Sequence, residues 1–134
     1  MKVLKNIAHP FIVLICFFGI LISGEGFGGF YLMYILMALA SGYTYSILAW
    51  LGVACFLLGY SVFRLSKWNS LFYLSGSIFQ VLSLLVFFLN SKTNYNIGTF
   101  YELVPLTVMI VFTIITACSI IYNLNNVLKT RSYS

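Results

Sequence analysis

The 134-residue chain is 62% hydrophobic and only 7% charged, with seven Lys/Arg against two Glu and a net charge of +5. About a quarter of the residues in a soluble domain are charged, so this chain cannot cover a water-facing surface and reads as one integral membrane domain, 1–134. Its basic residues are thinly spread over tails and loops rather than gathered on one face, which argues against nucleic acid and for the positive-inside pattern and contact with membrane lipids.

A crossing helix needs about 20 largely apolar residues. The first is predicted over about 7–23, with Pro10 tolerated in its opening turn. Lys2 and Lys5 ahead of it imitate a signal peptide, but no A-x-A-like cleavage site follows, so a retained helix is expected. Next comes "LISGEGFGGFYLMY", 21–34, where Glu25 stands among four glycines. It lacks the Gly-Lys-Ser/Thr ending of a phosphate loop.

Apolar sequence then runs from Phe27 to Leu65, too long for one ordinary crossing. Two divisions are open. "ASGYTYS", 40–46, is a turn between two crossings, giving five transmembrane helices; or 43–63 is one crossing, preceded by a short apolar arm over about 27–39. As a helix, thirteen residues rise about 20 Å, short of a hydrocarbon core of about 30 Å, which suits an interfacial or re-entrant segment. The third crossing, 71–89, ends at the polar "NSKTNYNIG", and the fourth, 101–122, holds Pro105 in its first turn and ends at "NLNN".

Charge decides between the divisions. Four crossings with a cytoplasmic N-terminus put Lys2, Lys5, Arg64, Lys67, Lys129 and Arg131 inside, leaving only Lys92 outside with Glu25 and Glu102. Five crossings move Arg64, Lys67, Lys129 and Arg131 outside, against the rule that Lys/Arg stay cytoplasmic. The expected fold is therefore an all-α four-helix transmembrane bundle with a short interfacial or re-entrant apolar segment, in an inner membrane, both termini cytoplasmic.

Helices meet in lipid through small and polar side chains. Gly52, Cys55 and Gly59 lie near one face of the second crossing; Gly76, Gln80 and Ser83 recur at helical spacing on the third; Thr113, Thr116 and Ile120 share a side of the fourth. Gln80 falls near mid-membrane, where an unpaired amide is expensive. It must bond another helix or face a wet cavity.

Chemistry-bearing residues are few. His9 is the sole histidine, Asp is absent, and Glu25 and Glu102 are expected on the far side from His9. Cys16, Cys55 and Cys118 sit within apolar runs with no CxxC spacing, as packing residues do. No catalytic, cofactor or metal site is predicted, nor an enzyme. Glu102, opening the fourth crossing, suits the helix dipole there. Glu25 with Phe27, Phe30 and Tyr34 forms an expected docking surface for another integral membrane protein. The leading expectation is an accessory or structural subunit of an inner-membrane complex, acting by helix–helix contacts or self-association. A small oligomeric channel or transporter and a membrane immunity or defence component are the alternatives.

Overall fold

The computed structural model describes residues 6–24, 28–63, 66 and 68–132, and the side chains of these except 91–95 and 130–132. Glu25, Phe27, Arg64 and Lys67 lie outside the described residues. Five α-helices are seen among them: α1 (Pro10–Phe18), α2 (Tyr31–Leu39), α3 (Thr44–Ser61), α4 (Asn69–Leu89) and α5 (Leu103–Ser132), with a 3-10 segment at Ser91–Phe100. Three of these, α3, α4 and α5 as far as Lys129, are long and apolar enough to cross a membrane. The chain is thus an all-α multi-pass membrane protein.

The helix α4 is the hub, with α3 along one side and α5 along another. Two glycines let α3 and α4 approach backbone to backbone. A Cβ on Gly52 would stand 3.0 Å from the Gly76 carbonyl and from the Gln80 Cγ; one on Gly76 would stand 3.0 Å from the Phe56 ring. Close approach of this kind holds helices together where apolar burial gains little. Of the small residues expected on α3, Gly52 and Gly59 are buried at this crossing and Cys55 is half-buried.

The first crossing expected as a helix over 7–23 is helical for only part of its length. Pro10 opens α1 at a position where its missing N–H costs nothing. The helix stops at Gly19, and the chain continues extended through β1 (Leu21–Ile22), which pairs antiparallel with β2 (Gly29–Phe30) in the register Leu21↔Phe30 and Ile22↔Gly29. Extended backbone near lipid must find partners within the protein. Beyond the ladder, Tyr31 N–H donates to the Ile20 carbonyl at 2.7 Å. Ser23 N–H donates to Thr99 Oγ1 at 2.9 Å, and the Thr99 hydroxyl lies 2.9 and 2.8 Å from the Ser23 and Asn96 carbonyls, one of which takes its proton. Periodicity alone does not anticipate these long-range partners.

The short apolar arm of the sequence takes form as α2, nine residues long, or about 14 Å. It packs on its own bundle. Tyr31, Ile35 and Ala38 are buried, while Met33, Leu36 and Met37 face outward. The Tyr31 hydroxyl meets Ser83 Oγ at 2.8 Å, and Ser83 Oγ donates to the Tyr45 carbonyl at 2.7 Å, tying α2, α4 and α3 at one point. Ser46 Oγ donates to the Ile35 carbonyl at 2.5 Å. Phe87 completes the junction, with Tyr31, Tyr34 and Tyr45 edge-on to its ring at 5.1, 5.5 and 5.2 Å. The turn into α3 depends on Gly42, whose φ of 68° is costly for a residue with a Cβ.

Gly52→Val forces side-chain atoms into the Gly76 backbone and is expected to destabilise the bundle by about 1–3 kcal/mol. Gly29→Ala, where a Cβ meets nothing within 4 Å, leaves it unchanged. Unfolding midpoints in detergent micelles check both.

Candidate functional sites: a buried amide and two cavities

Gln80 is fully buried on α4, at the level of Gly52. Among the described residues neither its Oε1 nor its Nε2 has a hydrogen-bond partner, and the same holds for the buried Trp50 Nε1 on α3 and Thr116 Oγ1 on α5. The interhelical bond expected of Gln80 is therefore not made; the amide is wedged where α3 and α4 come closest. One turn away the polar groups are satisfied: Ser77 and Ser119 hydroxyls pair at 3.1 Å between α4 and α5, and Asn123 Nδ2 donates to the Ser119 carbonyl at 2.8 Å. The wider row of Gly76, Gln80 and Ser83 splits into three roles. Gly76 gives room, Ser83 bonds, and Gln80 is left alone.

A first cavity, about 490 Å³, lies between α4 and α5 and is almost wholly apolar. Leu84, Phe88, Phe112 and Thr116 form its floor, and exposed Leu85, Leu89, Thr113 and Ala117 its rim. The Thr113 hydroxyl donates to its own Met109 carbonyl at 2.8 Å, so it presents a methyl and a small profile rather than a free polar group. Thr113 and Ala117 are four apart on one face of α5, a small-xxx-small pair that the sequence reading of Thr113, Thr116 and Ile120 only half identified.

The second cavity, about 420 Å³, lies where α1 and α4 begin and α3 ends. His9, Tyr60, Asn69, Ser70 and Asn126 line it, with the buried Asn123 at its base. The sequence clue to it was the asparagine-rich "NLNN" at 123–126, read only as the end of a crossing. Gln80 lines neither cavity.

The expected docking residues are placed as follows. Phe30 is exposed on β2, whereas Tyr34 turns inward against Phe87, so the outward face of the arm is carried by Phe30, Met33 and Met37. Glu102 immediately precedes α5, and its carboxylate accepts the Ser23 hydroxyl proton, linking the start of α5 to the end of β1. Its counterpart Glu25 lies outside the described residues, as does Phe27. Among the described residues no group of three or more His, Cys, Asp or Glu could hold a metal. Compared with protein-family models, with curated proteins and with solved structures, the chain matches none.

Gln80→Met removes two unpaired buried polar atoms while keeping the side chain's length. It is expected to raise bundle stability by about 1 kcal/mol or more, read as a higher unfolding midpoint. A lowered midpoint would show that the amide makes a bond the present geometry lacks.

Proposed function

We propose that this chain is a small, non-catalytic accessory subunit of an inner-membrane complex, and that it holds a transmembrane helix of another protein in the groove between α4 and α5. The observation that carries the proposal is the groove itself. It is apolar, about 490 Å³, and rimmed by the exposed pair Thr113 and Ala117. Because lipid tails are as apolar as leucine, an apolar surface alone does not recruit a helix; small residues that let backbones approach do. The rest of α5 adds support, since it is the least buried of the three long helices.

The proposed topology has four traversals and cytoplasmic termini. His9 lies beside Asn69 and Asn126, whereas Ser23 bonds Thr99 and Glu102 at the other end of α4 and α5. The nine helical residues of α1 supply about 14 Å, Gly19 with its helical dihedrals about 1.5 Å, and the four residues 20–23 at most about 13 Å. Their sum, about 28 Å, approaches the thickness of the hydrocarbon core. This part-helical, part-extended traverse then stands beside α3, α4 and α5. A channel or transporter built around Gln80 is the second reading; the amide is enclosed where α3 and α4 come closest, an arrangement that does not favour it over the first. The immunity reading rests on no feature of the fold.

A photo-crosslinker at Ala117 in natively expressed, tagged protein is expected to give one discrete adduct with an unrelated membrane protein that also co-purifies in mild detergent. Ala117→Phe, which fills the groove, abolishes co-purification while leaving the unfolding midpoint in place. Adducts only to lipid or to a second copy would contradict the proposal. So would co-purification undiminished in Ala117→Phe.

A further inference from the structure

The polar cavity at the end of the bundle has a chemistry of its own, separate from the groove. The helix ends around it leave it without a dominant sign of charge. Where α1 begins, Ile12 and Val13 donate their N–H groups to the His9 carbonyl; where α4 begins, Leu71 and Phe72 donate theirs to the Trp68 carbonyl. The end of α3 lies at the same cavity, so the negative end of its dipole offsets the positive ends of the other two. Among the described residues no carboxylate, lysine or arginine lines it. An ion bound there would give up its hydration without meeting a counter-charge. A neutral molecule would not.

The lining combines groups that donate with groups that accept. Ser70 and Tyr122 bring hydroxyls, and Asn69, Asn123 and Asn126 bring amides; both types do both. Asn123 is 1% exposed and donates through Nδ2 to the Ser119 carbonyl at 2.8 Å and to Ser119 Oγ at 3.3 Å. That fixes its amide and leaves Oδ1 as the acceptor at the cavity base. The walls are tyrosine rings. Tyr60 meets Phe11 edge-on at 4.8 Å, and Tyr73 lies tilted against Phe56 at 6.0 Å. The Tyr73 ring also lies so near α3 that a Cβ on Gly59 would stand 2.7 Å from it. Rings held in this way are ordered before anything binds, which lowers the cost of binding.

We infer that this cavity binds a neutral, polyhydroxylated ring, a sugar carried either as the headgroup of a glycolipid or as a free saccharide. A sugar ring has apolar C–H faces to lie on tyrosine and a rim of hydroxyls, each a donor and an acceptor, to meet amides and hydroxyls. The volume of about 420 Å³ is that of a small-ligand site. Tyrosines such as Tyr60, Tyr73 and Tyr122 at helix ends are of the kind that prefer the headgroup level, where a glycolipid presents its sugar. The inference goes beyond the accessory-subunit reading and can fail without it, since the groove and this cavity share no residue.

The test uses the purified full chain in a mild detergent, offered equal amounts of galactosyl diacylglycerol, phosphatidylglycerol and plain diacylglycerol with the same acyl chains. Retained lipid is counted by native mass spectrometry. The galactosyl lipid is expected to be retained in preference to both others. Ser70→Leu, which removes a hydroxyl and fills part of the cavity, is expected to lower that retention about tenfold, and Tyr122→Phe, which removes a hydroxyl alone, about threefold. Unfolding midpoints within the wild-type range certify both variants, and Tyr122→Phe keeps the test open should Ser70→Leu fail to fold. Methyl galactoside is titrated against the retained lipid. Displacement supports the inference with the sugar alone sufficient; retention of the lipid at saturating methyl galactoside supports it with the anchored headgroup as the bound form. Equal retention of the galactosyl lipid and plain diacylglycerol would overturn the inference, as would a preference for phosphatidylglycerol or folded variants that bind like wild type.

Discussion

The hydroxyl of Ser83 is the point on which the rest of this fold depends. It sits between the Tyr31 hydroxyl and the Tyr45 carbonyl, with all three residues buried. In a water-facing protein an unmade bond here could be exchanged for a bond to solvent. Within a bilayer that exchange is lost, and polar groups must be satisfied by the chain itself. One side chain on α4 thereby fixes the start of α2 and the first turn of α3, and the Phe87 ring is packed among Tyr31, Tyr34 and Tyr45 around it.

The same constraint shapes the less regular half of the molecule. After α1 ends at Gly19 the chain is extended, and its backbone is satisfied by the β1–β2 ladder, by Ile20 with Tyr31, and by Ser23 with Thr99. Glu102 closes this end by accepting the Ser23 hydroxyl. The 3-10 segment is brought so near that a Cβ on Gly98 would stand 3.3 Å from the Gly24 Cα. The arm, pinned at Tyr31 and by Ser46 on the Ile35 carbonyl, is thus part of the bundle along one face. Its other face, with Met33 and Met37, remains directed outward.

What the sequence made legible was whatever depends on local composition. The crossings expected at 43–63 and 71–89 correspond closely to Thr44–Ser61 and Asn69–Leu89, because uninterrupted apolar runs set both. The crossing expected at 101–122 begins nearly as foreseen but continues to Ser132, since "NLNNVLKT" favours neither a turn nor a break strongly enough to end a helix already propagating. The first crossing was misjudged in form. Hydropathy reports that 7–23 is apolar, but the extended half is set by pairing with Phe30, Tyr31 and Thr99, which are distant in sequence. Gln80 is buried on α4, but the interhelical bond expected of it is not made among the described residues. Its neighbours are set by the Gly52–Gly76 approach, a property of two helices together. The polar cavity was missed because its residues come from four segments, each unremarkable alone.

The clamping of α2 to its own bundle through Ser83 can be read in a double-mutant cycle of Tyr31→Phe and Ser83→Ala, with unfolding followed in detergent. The bond should appear as a coupling of about 1 kcal/mol between the two positions, with Ser83→Ala the costlier change because it strands the Tyr31 hydroxyl. Strictly additive effects at Tyr31 and Ser83 would mean that the two side chains do not meet and that α2 is not clamped to α4 through Ser83.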